Sequence, residues 1–154
     1  MSEKYDIKLS MKAKADFILQ KVKNYPISVF LALVIWVVCL IPVPETPLKN
    51  VAFIDKWTHI AMYGILCLSI WVEYLRRHSF VDKKNLLPFR EGWGRLLVGG
   101  WLLPVLQGGL LELLQAYCTH GTRSGDWLDF LANATGATLI LCGGILWVCY
   151  HARR

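Results

Sequence analysis

The 154-residue sequence contains no glycine-rich phosphate loop, no dinucleotide fingerprint and no haem-attachment motif, and neither an HExxH nor a CxxC pair. The cofactor and metal chemistries that announce themselves by a short motif are therefore not written into it, and no cofactor is expected. It holds no internal repeat and no low-complexity segment. Its long apolar runs lack period-2 alternation and exceed strand length, which argues against a β architecture. Acidic residues are scarce, 11 against 17 Lys and Arg, for a formal net charge of +6. What the chain has instead is apolar surface: 55% hydrophobic residues and seven Trp in one domain's length are too much for a water-soluble fold. The basic residues are scattered around the apolar runs, which suits lipid headgroups and topology signals rather than nucleic acid.

Four runs approach or reach the roughly 20 residues that a helix needs to cross a bilayer: 27–43, 57–75, 96–117 and 127–150. Pro26 opens the first, Pro42 and Pro44 close it, and Pro104 predicts a kink in the third. Tyr25, Trp57, Trp93, Tyr117, Trp127 and Tyr150 stand at run ends, where aromatic rings favour the membrane interface. The expected fold class is all-α, an integral membrane bundle of four transmembrane helices. Fourteen of the 17 basic residues fall before the first run, between the second and third, or after the fourth. Basic loops stay inside, so both termini are expected in the cytoplasm. The first run lacks a small-residue cleavage pattern and is read as a span rather than a signal peptide. Residues 1–25 form a separate basic segment, in which Ile7, Met11, Ala15, Ile18 and Val22 recur at helical spacing among lysines. It is either an amphipathic helix on the inner leaflet or a polar tail. Residues 26–154 are the transmembrane domain.

Ionisable residues are not spread evenly along the spans. Asp55, Lys56 and His59 open the second run, Glu112 and Gln115 lie near the end of the third, and Arg123, Asp126, Asp129 and Asn133 lead into the fourth. By the expected topology all of them reach the extracytoplasmic face. At about 1.5 Å per residue, Glu112 and Asn133 lie roughly 8 and 9 Å inside it. Asp55, His59 and Tyr63 follow i, i+4, i+8; Glu112 and Gln115 follow i, i+3; Asp126, Asp129, Asn133 and Gly136 follow i, i+3, i+7, i+10. Each helix thus carries one polar stripe, which lipid cannot satisfy, so the stripes should meet inside the bundle. Gly136 and Ala137 would let the fourth helix pack closely just below.

The set D-K-x-x-H-x-x-x-Y (Asp55, Lys56, His59, Tyr63), E-x-x-Q (Glu112, Gln115) and R-x-x-D-x-x-D-x-x-x-N-x-x-G (Arg123 to Gly136) resembles the motif set of the VanZ-like family, over about residues 26–150. The chain departs from the family's pattern before Arg123, where it reads CTHGTR instead of a proline-glycine turn. The resemblance implies a small polytopic membrane protein of the cell envelope. The family's founding member is linked to teicoplanin resistance, and the family has no established reaction.

Plain structural roles are open to each of these residues. Asp55 and Asp126 suit helix N-caps, with Asp126 and Asp129 as a capping box; His59 suits a packing role; Arg123 suits a headgroup anchor. Glu112 needs a partner or a proton at its depth. Two functional readings compete. In one, His59, Glu112 and Asp129 perform acid–base catalysis while Lys56 and Arg123 hold an anionic group. In the other, the same residues with Asp55, Tyr63, Gln115, Asp126 and Asn133 recognise a lipid-linked or peptidoglycan-related ligand, and no bond is broken. A divalent metal on His59, Glu112 and Asp129 is a weaker variant, without a ligand motif behind it. Cys39 and Cys118, both near the outer face, are the one pair placed to form a disulfide. Membrane lipids are the expected surroundings, and a non-catalytic scaffold is the alternative function.

Overall fold

The structure, a computed structural model, describes residues 2–41, 54–77, 87–118 and 125–152. Among them every regular element is helical: α1 Ser2–Asn24, α2 Pro26–Leu40, α3 Ile54–Arg77, α4 Leu87–Leu97, a π-helical turn Val98–Leu102, α5 Leu103–Cys118 and α6 Trp127–Ala152. Three helical stretches are long and apolar enough to span a membrane: Ile54–Arg77, Gly92–Cys118 and Trp127–Tyr150. Among the described residues a fourth span exists only if α1 and α2 are taken together, across a bend of 94°. By itself α2 has 15 residues, about 22 Å, short of the hydrocarbon thickness.

The bend falls where Pro26, at the first position of α2, has no N–H to continue α1. Arg77 at the end of α3 fixes the corner by donating to the Asn24 side chain (2.9 Å) and the Lys23 carbonyl (3.3 Å). The segment expected to be either surface helix or tail is thus helical, and it leaves Met11, Phe17 and Ile18 exposed at right angles to α2.

α3 is the central helix, packed against α2, α5 and α6. Its buried positions His59, Tyr63, Leu66, Cys67, Trp71 and Tyr74 form one stripe at helical spacing from end to end. Apolar burial gains little inside a bilayer, so packing depends on close van der Waals approach. Gly136 supplies that approach on α6, because a Cβ there would run into the Ile60 carbonyl of α3. Ala137 beside it is fully buried, as its position predicts.

The third span begins earlier than its apolar run. Helix starts at Leu87, within the polar connector, and reaches α5 through the π turn. Pro104 explains the turn, since it cannot donate to the carbonyl four residues back; just before it, Leu103 N–H bonds to Val98 O, five back. The kink predicted at Pro104 is therefore realised as a one-residue widening. Trp57, Tyr117, Trp127 and Tyr150 are exposed at helix ends, as an interfacial belt requires.

Candidate functional site

The N-terminus of α6 is built first from its own sequence. Asp126 is the N-cap: its Oδ1 accepts the Leu128 N–H at 2.9 Å, while its carbonyl receives Asp129 and Phe130. In a capping box Asp129 would return the favour by accepting the Asp126 N–H. Here Glu112 of α5 takes that position, with Oε2 at 3.1 Å. Gly125 permits it, because a Cβ there would collide with the Glu112 carbonyl. The expected box is thus half local and half borrowed from α5, and Asp129 is left for another partner.

That partner is Lys56. Its ammonium lies 2.5 Å from Asp129 Oδ1, 2.6 Å from Asp126 Oδ2 and 3.7 Å from Asp55 Oδ2. One α3 cation therefore bridges two α6 carboxylates. Asp126 is held below the ordinary Asp range, first by its bond from Lys56 and then by the Leu128 N–H. One turn on, His59 is 3% exposed, with Nδ1 2.9 Å from Asn133 Oδ1. With the amide oxygen as acceptor, Nδ1 is the donor of that bond, and Nε2 is the ring nitrogen left to face other groups. Nε2 lies 3.9 Å from Asp55 Oδ1 and from Asp129 Oδ2, and Nδ1 lies 4.0 Å from Glu112 Oε1.

The stripes of three helices do meet. Glu112, Asp129 and Asn133 are buried around His59, and Asp55 stands exposed at the rim. Two predicted members belong elsewhere. Tyr63 is wholly buried in the apolar cluster with Ile35, Leu66 and Leu111, and its hydroxyl has no hydrogen-bond partner among the described residues. Gln115 donates to the Cys39 carbonyl at 2.7 Å, which ties α5 to the end of α2. Arg123 lies outside the described residues. Cys39 is buried, Cys118 is exposed, and no disulfide joins them.

The charge balance redirects the chemistry. Four carboxylates surround one lysine and one histidine among the described residues, and the lysine is fully engaged. Lys56 is therefore not free to hold an anion, as one reading of the sequence required. Among the described residues, the groups positioned for a metal are Asp55, His59 and Asp129, with ligand atoms within 4.8 Å of one another, so Asp55 replaces Glu112 in that variant. Lys56 already sits on the same Asp129 carboxylate, so a cation there would have to share or displace it. What remains available is the Nε2 side of an imidazole and carboxylate oxygens, groups suited to hydrogen bonding and proton transfer.

Reasoning from the sequence missed Glu73. It lies 14 residues, four helical turns, beyond His59 on the same α3 face, and that register was the available signal. Its carboxylate accepts the N–H groups of Ile27 (2.9 Å) and Ser28 (3.1 Å) and the Ser28 hydroxyl (2.5 Å). Comparison with known proteins returned no matching family model, no matching curated protein and no matching solved structure.

Proposed function

We propose that the chain is a VanZ-like protein of the bacterial cytoplasmic membrane, with four spans, both termini inside, and a polar layer that opens to the extracytoplasmic face. The layer binds a polar, hydroxyl- or amine-bearing part of a lipid-linked or peptidoglycan-related envelope component. Through it the protein alters susceptibility to teicoplanin-type glycopeptides. The supporting observation is the His59 environment: a buried imidazole, oriented by Asn133, turns its Nε2 toward the rim between Asp55 and Asp129. Such a group accepts a proton or a hydrogen bond from a ligand entering past Asp55. The family theme and the topology rest on the motif set and on the distribution of Lys and Arg.

A non-catalytic scaffold is the second reading, favoured by the way Lys56 and Glu112 tie α3, α5 and the start of α6 together. Complementation separates the two. In a strain lacking the protein, the wild type should restore the glycopeptide phenotype, whereas His59→Ala and Glu112→Gln should fail at equal membrane abundance and helix content. Full function in either variant would favour the scaffold, and full function in both would remove the layer from the mechanism. The topology is tested in a background without the native cysteines: an impermeant maleimide applied from outside should label a Cys placed at Asn50 and miss one at Asn85.

A further inference from the structure

At the end of the bundle away from the charge layer, α2, α3, the π turn and α5 enclose a cleft of about 740 Å³. That volume falls within the roughly 300–1,000 Å³ of ligand pockets. Its mouth carries Lys21, Tyr25, Tyr74 and Arg95; its walls are mostly apolar, with Ala32, Leu66, Ile70 and Leu103 among them, and Ser28 and, at the deep end, Gln107 are the polar exceptions. Along α3 the lining runs from Tyr74 to Leu66, and along the third span it includes the stretch from Arg95 to Gln107. At about 1.5 Å per residue these are roughly 12 and 18 Å, which is half the hydrocarbon thickness of about 30 Å. A slot of that length reaches from one interface to the bilayer midplane, the span of one acyl chain.

We propose that this cleft is a binding site for one anionic phospholipid, with an acyl chain between α2 and α5 and the phosphate between Lys21 and Arg95. Charge selects the headgroup. Among the described residues neither cation is in an ion pair, and Lys21 rests over the Phe17 ring at 5.5 Å. Both are exposed on the polar side of the slot, where a phosphate brings the charge they lack. The π turn shapes the opening. Val98, Gly99 and Gly100 all line the cleft, and a Cβ at Gly99 would meet nothing within 4 Å. A side chain at Gly99 has room to grow, so the slot can be plugged without a clash at the backbone.

The site is independent of the charge layer, so its test is too. Full-length protein is reconstituted in nanodiscs of equal palmitoyl-oleoyl phosphatidylglycerol and phosphatidylcholine, and retained lipid is counted by native mass spectrometry after release. The wild type should hold one phosphatidylglycerol, in preference to phosphatidylcholine by about tenfold or more, given two basic groups near the phosphate. Lys21→Gln with Arg95→Gln should abolish the preference, and Gly99→Phe should remove the retained lipid. If Gly99→Phe fails to fold, Gly94→Leu serves the same purpose, since Gly94 also lines the cleft and has nothing within 4 Å of its Cβ position. Absence of a retained lipid, equal retention of the two lipids by the wild type, preference surviving the double substitution, or wild-type retention in the plugged variant would each overturn the proposal.

Discussion

Glu73 and Glu112 look alike until their oxygens are followed. Both sit on inner faces of apolar helices, 6% and 8% exposed, and both accept backbone N–H groups where a neighbouring helix begins. Glu73 serves α2, whose own N-cap residue, Tyr25, makes no side-chain cap. Three donors occupy its two oxygens, so the positive end of α2 and the negative carboxylate satisfy each other. Glu112 serves α6 with one oxygen only, and the other faces His59 at 4.0 Å. Burial of a carboxylate therefore does not identify a site. A saturated one fastens two helices, while one with an uncommitted oxygen beside an imidazole retains chemistry.

The strongest way to break this distinction is Glu73→Ala. It strands two N–H groups and leaves the Ser28 hydroxyl with Ser69 alone, at 3.1 Å, and the expected loss is about 2–4 kcal/mol, enough to displace α2. Thermal unfolding in detergent, followed by circular dichroism, reads it. A loss below about 1 kcal/mol would mean that water reaches the α2 terminus and that Glu73 is dispensable.

Comparable in size is Lys56→Met, which leaves Asp126 and Asp129 facing each other without their cation. A cost of about 2–4 kcal/mol is expected, because the residual charge stays partly buried. Adding Asp129→Asn should recover part of it, and a double-mutant cycle isolates the coupling. Additive losses would show that Lys56 acts through packing alone.

Glu112→Gln should cost only about 1 kcal/mol, since the amide oxygen still accepts the Asp126 N–H. Function should nevertheless be lost, because the charge beside His59 is gone. Should this variant melt as early as Glu73→Ala, the two glutamates would be equivalent and the comparison would collapse.

The difference between the glutamates also marks how far the sequence was legible. The helical class and three of the four expected spans followed from apolar run length, and the meeting of His59, Glu112, Asp129 and Asn133 followed from periodicity plus the cost of facing lipid. Periodicity assigns a residue to a face but not to a partner. Gln115 shares Glu112's face yet binds the end of α2, and Tyr63 shares His59's face yet lies one turn deeper, among Ile35, Leu66 and Leu111. Lys56 was read as an anion holder because its neighbours across the bundle were unknown. Glu73 was overlooked because a lone acid near a basic helix end resembles a solvated residue, and the donors it satisfies are 45 and 46 positions away. The start of the third helix was not legible because α4 is polar, and polar turns extend a helix without extending its apolar run.

The smallest effect tests the rim of the layer through pH. The Asp126 carboxyl is held below its ordinary value near 3.8, chiefly by the Lys56 ammonium and then by the Leu128 N–H. A folded-state value below the unfolded one contributes stability above the unfolded value, and the contribution disappears as pH falls through the folded one. The wild type should thus lose melting temperature more steeply than Asp126→Asn between about pH 4 and pH 2, with the two nearly parallel at neutral pH. Asn is the right substitution because it caps a helix about as well as Asp and changes only the charge. Other carboxylates titrate in the same range, so the difference between the curves carries the information. The Asp126 side chain is 40% exposed, which keeps the difference small and makes it shrink in high salt. Identical acid profiles would mean that Lys56 draws its compensation from Asp129 alone, leaving Asp126 as a cap and placing the boundary of the site one turn further into the bundle.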